Sequence, residues 1–139
     1  IVGEGPMEEE LQKESEDLDN LFFPGAFEYE LMPGFLYHSS AAFCLENIER
    51  PLKISEYGAA NLPTLGAHGK LEEEFTDDEI FYVDPEPGEI SEALMRILKN
   101  PDEAQRRADN LQEHAKRYSW DEVASTYYEI ITSLVENYS

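Results

Sequence analysis

The chain has 139 residues, enough for one domain of ordinary size, and 41% hydrophobic content to build a core. That content excludes disorder of the whole chain, although 31 acidic against 10 basic residues leave a net charge of −21. A field of that sign excludes non-specific binding to nucleic acid or to an anionic membrane, and it suits a protein kept soluble in high salt.

Ile1-Val2 reads as the end of a strand, followed by a turn over Gly3-Glu4-Gly5 and by Pro6 in the first turn of a helix. Residues 7–16 predict a short acidic helix with Met7 and Leu11 inward, four apart. Leu21-Phe22-Phe23 predicts a buried strand, stopped by Pro24-Gly25. Residues 28–38 predict another short helix through Tyr29, Met32, Leu36 and Tyr37, interrupted at Pro33-Gly34. Ala41 to Leu45 is the longest apolar run. It is far too short to span a bilayer and typical of a strand covered on both faces. Residues 51–60 predict a helix with Pro51 in its first turn and Asn61-Leu62-Pro63 at its end.

Thr64-Leu65-Gly66 is a short strand, residues 68–79 a polar loop with a turn of helix, and residues 80–83 a strand ended by Asp84-Pro85. Ile90, Ala93, Leu94, Ile97 and Leu98 then follow helical spacing. Asn100 and Pro101 cap and open a second helix with Ala104, Ala108, Leu111 and Ala115 inward. Ser119 and Glu122 predict a capping box for a third, with Val123, Tyr127, Ile130, Ile131 and Leu134 on one stripe. Short strands alternating with helices call for an α/β fold: a Rossmann-like parallel sheet flanked by helices, with a helical C-terminal tail. Ligands in such folds sit at the carboxyl ends of the strands.

Most polar constellations read as structural. Gly3-Glu4-Gly5 lacks a third glycine and carries the wrong charge for an anion. Asp17-Leu18-Asp19 has a metal-like spacing in an ordinary loop setting, and His38, His68 and His114 share no ligand spacing, so no metal site is expected. Cys44, the single cysteine, lies inside an apolar strand and reads as an inert buried thiol.

The informative stretch is Glu46 to Glu56, which runs from a strand end through a loop into a helix. Arg50, Lys53 and the helix start at Leu52 place positive charge and free backbone N–H groups together, where an anion can bind. Glu56 lies on the same side one turn on, where a carboxylate can accept bonds from two vicinal ribose hydroxyls. An ordinary ion pair between Lys53 and Glu56 accounts for the same residues, and these residues alone leave both readings open.

Five stretches in order resemble one family, the C-terminal, donor-binding domain of group 1 glycosyltransferases, which have the GT-B fold. IVGEGP (1–6) is similar to its second strand and glycine turn, and Leu21 to Phe27 to its third strand, with the glycine at Gly25. PLKISEYGAANLPTL (51–65) resembles its most diagnostic segment, close to PLK-x-x-EYMAAGLPV. IFYVDPEPGEISEAL (80–94) and RYSWDEVASTYYEI (117–130) resemble the strand and helices that follow.

The resemblance implies a hexosyltransferase-type enzyme that transfers a sugar, with retention, from a nucleotide-diphospho-sugar to an acceptor. The acceptor class is open among glycan, lipid and small molecule. The donor is of UDP or GDP type, and no bound metal or other cofactor is implied. Glu56 aligns with the ribose-binding second glutamate of a paired motif. The first glutamate belongs eight positions earlier, where this chain has Ile48; Glu49, one residue away, and Glu46, two away, are the displaced candidates, and Glu49 is the one assigned its catalytic role. Lys53, Arg50 and the helix start near Leu52 are expected to approach the diphosphate or the sugar, while the resemblance places the family's own diphosphate-clamping Arg and Lys ahead of Ile1 and the backbone from Gly25 to Phe27 at the base pocket. Residues 1–139 are expected to form one nucleotide-sugar-binding domain lacking its first strand and helix, with an acceptor domain upstream, and to be inactive alone. The implied location is the cytoplasm, or its membrane face through the upstream domain. The alternative is a non-catalytic α/β nucleotide-binding or protein-interaction module derived from the same fold.

Overall fold

The computed structural model describes residues 1–49 and 51–137. Contacts divide the chain into two units, residues 1–35 and 36–139.

In the first unit, α1 (Glu8–Glu14) forms inside the predicted span, but it leaves Met7 and Leu11 exposed. Its first turn holds Glu8, Glu9 and Glu10, which suit the positive end of a helix. The predicted strands at 1–2 and 21–23 reduce to one parallel bridge, Val2 with Gly25, supported by the Gly3 N–H to Gly25 C=O bond at 3.0 Å. Pro24 brings no N–H, and two strands without further neighbours are marginal, so the pairing stays at a single bridge. Gly25 takes φ 76°, a left-handed turn that glycine adopts without strain.

A 3-10 turn (Tyr29–Leu31) leads into α2 (Met32–Tyr37). Pro33 does not interrupt the helix; it lies in the first turn, where the missing N–H has no intrahelical partner to lose.

The second unit is built on a parallel sheet of three strands in the order β1 (Ala42–Cys44), β2 (Thr64–Ala67), β3 (Phe81–Val83). The register pairs Ala42 with Thr64 and Leu65 with Phe81. Right-handed crossovers suit α3 (Leu52–Ala59) between β1 and β2, and a 3-10 turn (Lys70–Glu73) joins β2 to β3. After β3 come α4 (Pro87–Lys99), α5 (Pro101–Lys116) and α6 (Trp120–Asn137). Asn100 does not cap α5 with its side chain; its Nδ2 donates to the Arg96 C=O and closes α4 instead.

β2 is buried along its whole length, with a core on each face. Cys44, Ile54, Leu71, Phe75, Ile80 and Leu111 pack on one, and Leu65, Phe81, Val83, Ile97 and Ala104 on the other. α3 meets α5 closely because Gly58 has no side chain: a Cβ there would lie 2.9 Å from the Leu111 carbonyl oxygen and 3.0 Å from Ala115 Cβ. The expectation that β1 is covered on both faces fails at Phe43, which is 58% exposed between buried Ala42 and Cys44.

α6 forms over the predicted span, and Ser119 Oγ accepts from Glu122 N at 3.3 Å. Yet it has no buried residue, and Tyr127, Ile130, Ile131 and Leu134 are exposed. Periodicity encodes an amphipathic helix; it does not say that the covering surface lies within the same unit. No helix among the described residues is long and apolar enough to cross a membrane.

Candidate functional site

The carboxyl ends of β1 and β2 carry the segments 45–49 and 68–74, and the two segments are tied to each other. Lys70 N donates to Asn47 Oδ1 at 3.0 Å, and Lys70 Nζ pairs with Glu49 at 3.2 Å. Gly69 makes the approach possible, with φ 120° and only 2.7 Å between an added Cβ and Asn47 Oδ1. Neither Asn47 nor Lys70 emerges from sequence reasoning. The signal was Gly69 with Glu72 three positions on, the spacing of a capped turn, in which the Glu72 carboxylate accepts from Gly69 N at 2.8 Å.

The other oxygen of Glu72 bonds His68 Nδ1 at 2.8 Å, and the imidazole stacks on Tyr82. The Glu72 hydrogen bond raises the His68 pKa above 6.5, and the same bond lowers that of Glu72. Both side chains are exposed, so the pair contributes little stability. Its contribution is present below the ordinary imidazole value and lost as pH rises through the folded one. An NMR titration of His68 is expected to show a midpoint above 6.5 that drops back in Glu72→Gln; a midpoint indifferent to that substitution contradicts the pairing.

α3 begins after Pro51, whose extended backbone (ψ 125°) turns the chain into the helix. Lys53 does not pair with Glu56. Its Nζ reaches back to Glu46 at the end of β1, at 2.9 Å, and that bond raises the lysine pKa. Glu56 is half-buried one turn along, Leu52 is exposed at the helix start, and Ile48 is exposed in the loop. Arg50 lies outside the described residues. Gly25 and Phe27 belong to the first unit, where the Phe27 ring stacks on Phe35 at 4.2 Å. The structure therefore gathers Glu46, Asn47, Glu49, Lys53 and Lys70 around two strand ends, with each lysine already facing a carboxylate.

Burial raises the Cys44 thiol pKa, in keeping with an inert buried sulfur. Among the described residues no group of three or more His, Cys, Asp or Glu side chains could hold a metal ion.

Solved structures share this architecture, three of them as follows. Sucrose-phosphate synthase from Thermosynechococcus elongatus matches with a TM-score of 0.77 and 20% identity, over 98% of this chain and 38% of its own. HepE of Anabaena, solved with UDP, matches with a TM-score of 0.78 and 18% identity, over 95% of this chain and 40% of its own. TarM matches with a TM-score of 0.72 and 15% identity, over 93% of this chain and 27% of its own. The fold is that of the C-terminal half of a GT-B glycosyltransferase. The chain spans at most 40% of the length of these structures. Neither a protein-family model nor a curated protein sequence matches it.

Proposed function

We propose that this chain is the donor-binding part of a retaining, hexosyltransferase-type glycosyltransferase, acting on a UDP- or GDP-linked sugar. The observation that supports it most is the shared fold with HepE, which was also solved with UDP-glucose. In this reading Glu56 holds the donor ribose. Lys53 and the backbone at Leu52 approach the diphosphate or the sugar. Lys53 is engaged by Glu46, so the diphosphate must displace that carboxylate or bind beside it. Catalysis consists mainly of positioning and of charge stabilisation on the leaving diphosphate.

The acceptor is a glycan, a lipid or a small molecule, held by a further domain of a longer protein. The 139 residues are one nucleotide-sugar domain and are inactive without that further domain. A cytoplasmic location fits such a donor.

Isothermal titration of the chain with UDP-glucose and GDP-mannose tests the binding. Glu56→Ala is expected to weaken the bound donor at least about tenfold, through loss of a charge-assisted pair of hydrogen bonds. Affinity unchanged by that substitution sinks the assignment. One observation favours the non-catalytic alternative: Ile48 stands where the first glutamate belongs, and Glu49 is tied to Lys70. Donor binding without turnover in the longest available form of the protein selects that alternative.

A further inference from the structure

Among the described residues β3 is an edge strand of the sheet, and a cavity of about 570 Å³ runs along it. Phe81, Tyr82 and Val83 all line this cavity. Successive strand side chains point to opposite faces, so three in a row border one space only where it wraps the strand's open edge. One wall is a single face of α4, carrying Glu89, Glu92 and Arg96 at helical spacing, and Asp77 from the loop ahead of β3 also lines it.

The backbone along this edge is partly capped. Val83 C=O accepts from His68 N, so the alternation of parallel pairing turns the Tyr82 N–H and C=O away from β2. The preceding outward carbonyl, that of Ile80, is occupied by the Arg107 guanidinium at 2.8 Å. Tyr82 is thus where a further strand can add. The charge there is one-sided. Arg96 and Arg107 both pair with Glu103, while Asp77, Glu89 and Glu92 have no ion-pair partner among the described residues.

We propose that the open edge of β3 accepts an extended peptide carrying basic side chains, which adds as a fourth strand beside Tyr82. A donor and an acceptor on one residue match another backbone, and the three carboxylates match alternate basic side chains. A second copy of this edge would bring like charges together, which disfavours self-pairing.

The test uses the 139-residue chain and a labelled peptide of alternating lysine and valine. Binding by fluorescence polarisation is expected, with amide shifts centred on Tyr82. It should weaken at least about tenfold in the Glu89→Gln, Glu92→Gln double variant, whose folding circular dichroism verifies. N-methylation of the central peptide valine, which removes one backbone donor, should weaken it at least about fivefold. Absence of binding overturns the proposal. So does equal binding of the N-methylated peptide, or displacement by spermine at matching affinity, since charge alone then accounts for the attraction.

Discussion

His114→Leu is expected to destabilise the chain by about 3 kcal/mol, although leucine fills a similar volume. His114 is buried on α5, and its Nδ1 bonds Glu79 Oε1 at 2.8 Å. The other Glu79 oxygen accepts from Thr76 N at 2.7 Å and Thr76 Oγ1 at 2.9 Å. On the far side, Nε2 faces Glu74 at 3.9 Å, and Tyr118 both stacks on the ring and donates to Glu74. The imidazole thus sits between the buried Glu79 carboxylate and the partly buried Glu74 carboxylate on the segment that leads into β3. Leucine supplies no donor, and a buried carboxylate without its partner costs its desolvation.

Burial alone would raise the Glu79 pKa, but the Thr76 and His114 bonds outweigh it and hold it below 4.5. The stability from Glu79 is therefore present above 4.5 and lost as pH falls through the folded value. Urea unfolding should show the full deficit near neutral pH and a narrowing one in acid. A deficit under about 1 kcal/mol at neutral pH contradicts this account.

Leu111→Ala is expected to cost about 3–4 kcal/mol, the range for a fully buried leucine whose site cannot collapse. Leu111 has no exposed surface and joins α5 to Ile54 of α3 and to Leu71, Phe75 and Ile80. Collapse is blocked by Gly58, which already brings the α3 backbone against Leu111 and leaves no side chain to swing into the void. Adding Gly58→Ala to Leu111→Ala relieves the 3.1 Å approach to Leu111 Cγ but keeps the 2.9 Å approach to its carbonyl oxygen. The double variant should stay clearly less stable than wild type. Urea midpoints with an unchanged slope measure both effects, and a loss below about 1.5 kcal/mol for Leu111→Ala defeats the packing argument.

Local patterns carried the second unit well. The apolar runs at 41–45, 64–66 and 80–83 became β1, β2 and β3, and helical spacing placed Ile97, Ala104, Ala108 and Leu111 inward. Patterns failed where a partner was needed. Leu21-Phe22-Phe23 has strand composition but makes no strand, and the α6 stripe has the period of a packed helix but nothing buried. Spacing also left the partner of Lys53 open between Glu56 and a bound anion, and it is Glu46. The loop after β1 folds back and brings Glu46 to 2.9 Å, a contact that helical spacing does not report. The tie of Asn47 and Glu49 to Lys70 spans more than twenty residues and depends on the strand ends being adjacent, which no local rule reports.

The placement of the positive side chains has a consequence for mutational tolerance. Lys53, Lys70, Arg96, Arg106 and Arg107, half of the ten basic residues, each link separate segments of the second unit. Each surface pair contributes little alone. Carboxylates, by contrast, outnumber cations by three to one, so most can be exchanged without losing such a link. Substitutions that add or remove acid should be broadly tolerated, while loss of any of these five cations removes one of the few polar links between segments. The chain's acidity is then a permissive background, and its few basic positions are where substitution is constrained.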